Sequence, residues 1–375
     1  MKLLYAHDGI NLCDELFINS LRHKYDISVL TFHPNPSRIP QGIKIIRMPD
    51  LVPTTGLYPF DGARNHILTP VRAVTFKKYS YRAKPDVIIG CWATTYGVYA
   101  AYSNHHPFVL FIWGSDVLTF PKFIPFRVLV KYAIKKADIV VVDSDVQKRA
   151  AIKLGCQSNK ILAFPWFDSD ALEREARGKS EVRKELGWSE DDVVVISTRT
   201  HNPIYGVSYL IEAIPLILRQ EPRAKFLILG EGRFTSQFEQ RTKKYGVEGR
   251  VKFLGRVPRK DLIKYLNASD IYVSTSLSDG ASASLLEAMT CSISPVVTDI
   301  PANTEWIQDG LNGYLIQTRN SNQLAQKIVY LARNQEIARK IGEEALETIR
   351  AKVNWERSLQ TLNDAITCYL NKTPN

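Results

Sequence analysis

The 375-residue sequence predicts an α/β protein with two doubly wound, Rossmann-like domains that face a cleft. Short apolar segments alternate with helical patterns, which is typical of parallel sheets covered by helices on both faces. These segments fall into two groups on either side of the charged stretch 168–192. The chain is also longer than the roughly 250–300 residues at which a single core stops growing. Because ligands of such sheets bind beyond the carboxyl ends of the strands, we expect a site in the cleft.

Thirteen short segments are predicted to be strands because they are apolar and rich in β-branched residues. Those of the first half are 2–6, 27–32, 43–48, 86–91, 108–113, 139–144 and 161–166. Those of the second half are 193–198, 225–230, 251–256, 271–276, 295–299 and 313–317.

The C-terminal patterns predict helices only, at 321–334, 336–351 and 354–371. We expect the last of these to cross back to the first domain. The predicted organisation is a first domain at 1–168, a linker at 169–192, a second domain at 193–352 and a crossing helix at 353–375.

Composition narrows the class of protein and its partners. No apolar run reaches the ~18 residues that span a bilayer, and His7 and Asp8 interrupt the apolar start, so we expect no signal peptide. The five cysteines show no CxxC spacing, which predicts reduced thiols, a cytoplasmic protein and no metal site. The net charge of +11 suits nucleic acid, anionic lipid or a polyphosphorylated ligand.

The segment SDGASASLLEAMT (278–290) is the most informative motif of the chain. Its two acids, Asp279 and Glu287, lie on either side of a run of small residues that leads from a predicted strand into a helix. A helix N-terminus with free N–H groups binds anions, and carboxylates accept hydrogen bonds from hydroxyl groups. The motif therefore predicts a ligand with both phosphates and hydroxyls, such as a sugar nucleotide.

The spacing of Asp279 and Glu287 resembles the E-x7-E motif of retaining glycosyltransferases of family 4, which have the two-domain GT-B fold. The resemblance extends through FLILGEG, VKFLGRVPRKDLIKYL and PVVTDIPANTEWIQDGLNGYLI, and it covers roughly residues 190–350. It implies an enzyme, without metal or cofactor, that moves a hexose from a nucleotide-diphosphate sugar to a glycan or lipid-linked acceptor. Retention of configuration and a place in polysaccharide or glycoconjugate biosynthesis are further implications.

The resemblance implies a role for each matched residue. Glu287 would bind the ribose hydroxyls, Asp279 would face the transferred sugar, and Arg199 would neutralise charge on the leaving diphosphate. The other donor-binding candidates are the diphosphate-contacting N–H groups of Ser284, Leu285 and Leu286, the close-approach glycines Gly230 and Gly232, the base-binding Val257 and Pro258, and the loop residues Gly280 and Ala281.

Two departures from the family pattern affect the donor side. Asp279 stands where the family usually has glutamate, which shortens the carboxylate by one methylene. Ile204 stands where a phosphate-binding lysine is common, and Tyr205 follows it, which resembles a family variant with tyrosine in this neighbourhood. Arg233 is a candidate for the missing cation.

The acceptor side is expected in the first domain. The segment WGSD resembles the family's H-G-x-D, with Trp113 in place of histidine, and indole is only a donor. Asp116 is therefore the catalytic candidate there. His7 and the single Gly9 of the loop after the first strand are further acceptor-side candidates.

Other functions remain open from the sequence. A sugar-nucleotide epimerase or hydrolase could use the same donor site. A basic nucleic-acid-binding protein is not expected, because no zinc, RNP or helix-turn-helix signature is present. The basic, aromatic stretches 71–84 and 121–137 are either helices with a solvated lysine face or a surface for anionic lipid, which would place the protein on the inner face of the membrane.

Overall fold

The computed structural model describes residues 1–9, 12–50, 68–169 and 179–372. All thirteen predicted strands are present, and they form one sheet of seven strands and one of six. Every strand pair in both sheets is parallel. The chain divides into two units. The first is Met1–Trp166 together with Glu356–Asn375, and the second is Phe167–Trp355.

The first unit contains the seven-stranded sheet, in the order β3-β2-β1-β4-β5-β6-β7. Its strands are β1 (Lys2–Ala6), β2 (Asp26–Thr31), β3 (Lys44–Arg47), β4 (Val87–Cys91), β5 (Phe108–Phe111), β6 (Ile139–Val142) and β7 (Ile161–Ala163). Within the described residues, its helices up to β7 are α1 (Leu12–Leu21), α2 (Thr69–Ala83), α3 (Tyr96–Ser103), α4 (Ser115–Leu118), α5 (Ile124–Lys136) and α6 (Asp145–Lys153). Every residue of β4, β5 and β6 is buried, because helices cover both faces of the sheet.

The second unit contains the six-stranded sheet, in the order β10-β9-β8-β11-β12-β13. Its strands are β8 (Val193–Ser197), β9 (Ala224–Leu229), β10 (Val251–Gly255), β11 (Ile271–Ser274), β12 (Ser294–Thr298) and β13 (Tyr314–Ile316). Its helices are α7 (Lys179–Glu185), α8 (Val207–Leu218), α9 (Thr235–Lys244), α10 (Arg259–Asn267), α11 (Ala283–Thr290), α12 (Pro301–Thr304), α13 (Ser321–Arg333) and α14 (Gln335–Lys352).

The alternation of side chains along β8 shows why this sheet is buried on both sides. Val193 and Val195 pack into one hydrophobic cluster, and Val194 and Ile196 pack into the other. Successive residues of a strand point to opposite faces, so a continuous apolar run supplies two cores. The predicted fold class, two doubly wound Rossmann-like domains, is confirmed.

The last helix, α15 (Trp355–Lys372), returns to the first unit from residue 356 onwards, as expected for the crossing helix. The Tyr369 hydroxyl donates a hydrogen bond of 2.6 Å to Asp138 Oδ1. Lys24 Nζ donates one of 3.0 Å to Gln360 Oε1. No helix in the described part of the chain combines the length and the hydropathy that crossing a membrane requires.

Part of the predicted linker belongs to the second unit. Residues 170–178 lie outside the described residues, but α7 is folded onto the second sheet. Arg183 is buried there and donates hydrogen bonds of 3.0 Å to the Ala268 carbonyl and 2.7 Å to Asp270 Oδ2. A guanidinium buried with such partners fixes α7 against the end of α10.

Each sheet has one point at which the strand order reverses, between β1 and β4 and between β8 and β11. Loops that leave the carboxyl ends of these strands diverge to opposite faces, which opens a crevice for ligands. Residues directly after β1, β4, β8 and β11 are therefore the ones that the fold offers to a site.

Gly206, which lies beside the second crevice, and Gly246, which follows α9, allow a test of close packing. Both have a left-handed φ, +61° and +65°, but a Cβ at Gly206 would lie 2.1 Å from the Thr275 carbonyl oxygen, whereas one at Gly246 would meet nothing within 4 Å. We expect Gly246→Ala to cost about 1–2 kcal/mol of unfolding free energy. Gly206→Ala should cost roughly 1–3 kcal/mol more because of the clash. Urea denaturation of both variants measures the difference, and equal losses would contradict this packing argument.

Candidate functional site

Two predicted site residues, Arg199 and Asp279, meet at the crevice of the second sheet. Arg199 follows β8, and Asp279 lies in the loop between β11 and α11. Arg199 Nη2 is 2.6 Å from Asp279 Oδ2. Arg199 Nη1 donates hydrogen bonds of 2.7 Å to both Ser282 Oγ and Ser284 Oγ. One guanidinium thus joins the loop acid to the beginning of α11.

Packing also fixes the plane of the Arg199 guanidinium. The side chain is buried, and its Cζ lies 4.2 Å from the centre of the Tyr205 ring. A cation over an aromatic face is attracted by the ring electrons, and more strongly away from water. Burial lowers the pKa of Arg199, but Asp279 and the nearby tyrosines outweigh burial and raise it overall. The crevice therefore holds a fixed positive charge.

Tyr205 is itself held in place by the end of β11. The Leu277 N–H donates a hydrogen bond of 2.8 Å to the carbonyl of Ile204, which lies in the turn Pro203–Tyr205. The Thr275 hydroxyl donates one of 2.9 Å to the carbonyl of Gly206. The residue that follows the expected lysine position is thus the one that stacks on Arg199.

Glu287 lies on α11, three residues after Ser284, and is buried. Burial raises the pKa of this carboxyl to about 7, although Arg259 and Arg199 act in the opposite direction. None of the described residues donates a hydrogen bond to it. A buried carboxylate without donors suits a ligand that supplies hydroxyl groups.

The first turn of α11 limits which N–H groups an anion could contact. The N–H groups of Leu285 and Leu286 both donate to the Ser282 carbonyl, at 2.9 and 3.1 Å, so they are not free for an anion. The preceding N–H groups, those of Ala283 and Ser284, have no carbonyl one turn earlier in the helix. An anion at this helix would meet the N–H groups of Ala283 and Ser284 first, and the contact expected at Ser284, Leu285 and Leu286 stays a prediction.

Gly230 and Gly232 have a packing reason that the sequence did not reveal. A Cβ at Gly230 would lie 2.5 Å from the Arg199 carbonyl oxygen, and one at Gly232 would lie 2.5 Å from that of His201. His201 N–H also donates a hydrogen bond of 3.1 Å to the Glu231 carbonyl. The loop after β9 is thus packed against the loop that carries Arg199, which explains the glycines without a ligand.

The remaining donor-side candidates surround this cluster or lie along the next loop. Gly280 N–H donates to Asp279 Oδ1 at 3.1 Å, and Ala281 continues the same loop into Ser282. Val257 packs against the hydrophobic cluster that contains Leu285, and the exposed Pro258 directly precedes α10. The Arg233 guanidinium lies over the Phe234 ring, 4.8 Å from its centre.

In the first unit, His7 and Trp113 meet at the carboxyl edge of the sheet. His7 Nδ1 is 2.7 Å from Asp14 Oδ2, and its ring stacks on Trp113 at a centroid distance of 5.2 Å. The Tyr5 hydroxyl donates to the other oxygen of Asp14 at 2.9 Å. Burial lowers the pKa of His7, but Asp14 outweighs it, so the pKa is raised overall. Gly9, the other acceptor-side candidate, lies two residues after His7 and has a left-handed φ of +68°.

Asp116 has the contacts of a positioning residue. It is fully buried and accepts hydrogen bonds from the N–H groups of Ala93 at 2.8 Å, Gly114 at 2.8 Å and Trp113 at 3.1 Å. Burial raises its pKa to about 6, and the same N–H groups partly oppose this. Asp116 thus ties the loop after β4 to the loop after β5, and its catalytic role stays a prediction.

Sequence reasoning missed several residues of both crevices. Arg259, beside Glu287, directly follows the predicted base-binding pair, and Ser282 lies within the motif itself. Asp8, which accepts a hydrogen bond of 2.5 Å from Tyr96, and Asp14 are acids close to the predicted His7. Proximity to a predicted residue was the available signal, but an acid near a strand end is too common to single out.

Both halves of the chain are similar to known glycosyltransferases. Residues 178–348 match the family model "Glycosyl transferases group 1", and residues 2–144 match "Glycosyl transferase 4-like". N-acetyl-alpha-D-glucosaminyl L-malate synthase of Bacillus anthracis is 25% identical over 244 residues, 65% of this chain and 63% of that enzyme. Poly(ribitol-phosphate) alpha-N-acetylglucosaminyltransferase of Staphylococcus aureus (strain COL) is 31% identical over 159 residues, 42% of this chain and 32% of that enzyme.

A solved structure shares the fold over nearly the whole chain. The crystal structure of Anabaena Alr3699/HepE in complex with UDP and glucose has a TM-score of 0.81 and 20% identity, and the match covers 98% of this chain and all of that one. The chain spans less than two thirds of the length of the curated relatives described above.

The raised pKa of Glu287 predicts that stability depends on pH. Its carboxyl has a pKa of about 7 when folded, against an ordinary value of 4.5, so the folded state binds more protons between these pH values. Stability should therefore fall as pH rises from 4.5 through 7, by about 3 kcal/mol. Glu287→Gln should remove this contribution, whereas that of Asp116, whose pKa is also raised, should remain. Urea denaturation of the wild type and the variant at pH 5 and pH 8 measures the difference.

The matched control is Glu239→Gln, an exposed glutamate on α9. It should leave the pH dependence of the wild-type protein unchanged. If Glu287→Gln shows the same fall in stability as the wild type, the carboxyl does not carry the proton.

Proposed function

We propose that this chain transfers a hexose from a nucleotide-diphosphate sugar. Both family models and the curated relatives support a glycosyltransferase of the GT-B class. The acceptor is a hydroxyl group of a glycan or a lipid-linked saccharide. Uridine diphosphate is the proposed leaving group, supported by the UDP and glucose bound to the structurally similar HepE protein. Retention of configuration and independence from metal ions are parts of the same proposal.

One observation carries this proposal: the cluster of Arg199, Asp279, Ser282 and Ser284 at the beginning of the helix that bears Glu287. Ser284 and Glu287 are three residues apart on α11, so they face the same side. A diphosphate at Arg199 and the first turn would then leave the ribose beside Glu287. The positive charge and the N–H groups suit the phosphates, and the carboxylate without donors suits the ribose diol.

The proposed reaction is a same-face substitution at the anomeric carbon. The bond to the diphosphate oxygen breaks, its electron pair stays on the diphosphate, and the acceptor oxygen bonds to the same face. The acceptor proton passes to a phosphate oxygen. Arg199 stabilises the charge that grows on the leaving group. Asp279 shares its charge with Arg199 and is therefore a weak nucleophile, which favours this route over a covalent intermediate.

The names of the two relatives support the stereochemical part of the proposal. Both specify an alpha-linked N-acetylglucosaminyl product. Common nucleotide-activated hexoses such as UDP-glucose carry an α bond to phosphate, so an α-linked product from such a donor has retained its configuration.

Asp279 has two tasks in this proposal. Its Oδ2 holds Arg199, and its Oδ1, which accepts the N–H of Gly280, has a further lone pair for a sugar hydroxyl. The aspartate that replaces the family's glutamate is thus short enough to pair with the arginine. It orients the cation and still presents one oxygen to the donor sugar.

Arg199→Lys tests the cation directly. Lysine keeps the charge but cannot reproduce the planar fork that bonds two serines and Asp279. We expect kcat to fall by roughly 10²–10³-fold, as when one charge-stabilising donor is removed from a transition state. Initial rates with a UDP-hexose, together with a thermal unfolding scan, separate loss of chemistry from loss of fold.

Arg223→Lys is the matched control, because Arg223 is half-exposed and pairs with Glu221 before the first residue of β9. Its rate should equal that of the wild type. A folded Arg199→Lys variant with full activity would remove Arg199 from the mechanism.

The anomeric configuration of the product tests the reaction class. A panel of nucleotide sugars is first ranked by thermal shift, since a ligand of the folded state raises the unfolding temperature. The selected α-linked donor is then incubated with candidate glycan acceptors in excess EDTA, and nuclear magnetic resonance should show an α-linked product. A β-linked product would reject retention. Rapid donor turnover without any acceptor would favour a hydrolase or epimerase.

A further inference from the structure

Three helices of the first unit share one face of its sheet. They are α2, which leads into β4, α3, between β4 and β5, and α5, which leads into β6. α2 packs against α3, and α3 packs against α5. Their inner side chains belong to a single hydrophobic cluster that includes Phe76, Tyr99 and Val130. Their outer sides therefore form one continuous surface, which we call the α2–α3–α5 surface.

This surface is unusually apolar for its exposure. Ile124 is 71% exposed, Val128 is 61% exposed and Tyr81 is 82% exposed. Of the twelve large apolar side chains exposed in the described part of the chain, seven belong to this surface: Val71, Val74, Tyr81, Tyr102, Phe123, Ile124 and Val128. Single exposed apolar residues are ordinary, but a concentration of them on one face marks an interaction site.

The three helices of this surface carry basic side chains and no acidic ones. The segments 68–84, 95–108 and 117–137 contain neither aspartate nor glutamate. Their exposed basic side chains are Lys77, Lys78, Arg82, Lys84, Lys122, Arg127, Lys131 and Lys135. The acids that flank these segments, Asp86 and Asp138, already accept hydrogen bonds from the Lys2 N–H and the Tyr369 hydroxyl. The positive charge of the surface is therefore not neutralised from within its helices.

Sheet topology gives this surface a direction. A helix that leads into the next parallel strand begins at the carboxyl edge of the sheet and runs back to the amino edge. Val71 and Val74 lie in the first half of α2, and Ile124 and Val128 lie in the first half of α5. The aliphatic side chains therefore lie towards the carboxyl edge, where His7 and Trp113 also lie. Most of the lysines follow further along both helices.

We propose that the α2–α3–α5 surface binds an anionic lipid bilayer. Its aliphatic side chains enter the boundary between headgroups and acyl chains, and its lysines and arginines bind the anionic headgroups. A soluble acidic partner would satisfy the lysines alone, whereas the exposed aliphatic side chains also require an apolar phase. Binding in this orientation brings the carboxyl edge of the first sheet to the membrane. The proposal stands on surface composition and does not depend on the proposed reaction.

Vesicle co-sedimentation of the full chain tests the proposal. The vesicles contain phosphatidylcholine alone or phosphatidylcholine mixed with phosphatidylglycerol. We expect binding to the mixed vesicles only, weakened by added salt. Lys131→Gln with Lys135→Gln should lower the partition coefficient roughly 30-fold, which corresponds to about 2 kcal/mol for two basic side chains. Lys243→Gln with Lys244→Gln, two exposed lysines of α9, is the matched control and should bind like the wild type.

Substitution of exposed aliphatic side chains distinguishes binding to a membrane from binding to a soluble polyanion. Ile124→Ser with Val128→Ser should lose binding to mixed vesicles at least tenfold but keep its elution salt on a heparin column. Leu311→Ser, at an exposed leucine of the second unit, is the control and should change neither measurement. The proposal is overturned if the wild type ignores the mixed vesicles, or if the Ile124 and Val128 variant binds them as well as the wild type does.

Discussion

The buried guanidinium of Arg199 is the group on which the second crevice depends. It bonds Asp279, Ser282 and Ser284, and it stacks on Tyr205, so it joins two loops that leave neighbouring strands. A buried charge is costly unless it is paired and hydrogen-bonded, and breaking such a pair costs about 3–5 kcal/mol. The arrangement is therefore held tightly, and the positive charge that would meet a diphosphate stands in place before the ligand arrives.

The two units use the same topology for different chemistry. In the second unit, the crevice between β8 and β11 holds a fixed cation and a buried carboxylate without donors, which suits phosphates and a diol. In the first unit, the edge near β1 and β4 is aromatic and acidic, with His7 held between Asp14 and Trp113. Asp116 holds the loop of Trp113 in place by accepting a hydrogen bond from the Trp113 N–H. This division fits a donor site in the second unit and an acceptor site in the first.

Much of the fold could be predicted from the sequence because its local and global preferences agree. Each parallel strand is a short, continuous apolar run, and such runs are recognisable without knowledge of their partners. Arg199, Asp279 and Glu287 could be selected as site candidates because they lie where strands end or helices begin. The contacts of these residues were harder to predict from the sequence, because they join loops that are far apart along the chain. Arg199 and Asp279 are eighty residues apart, and only the neighbouring positions of β8 and β11 bring them together.

The sequence by itself determined the thirteen strands and the α/β class, and it predicts an anion site in the segment 278–290, because periodicity and turn composition are local properties. Tertiary structure alone decided which oxygen Arg199 contacts and which N–H groups of α11 remain free. It also showed that Gly230 and Gly232 are required by close backbone contact and that Asp116 serves the loop of Trp113. Each of these depends on distances between separate loops, and those distances are set by the order and packing of the strands.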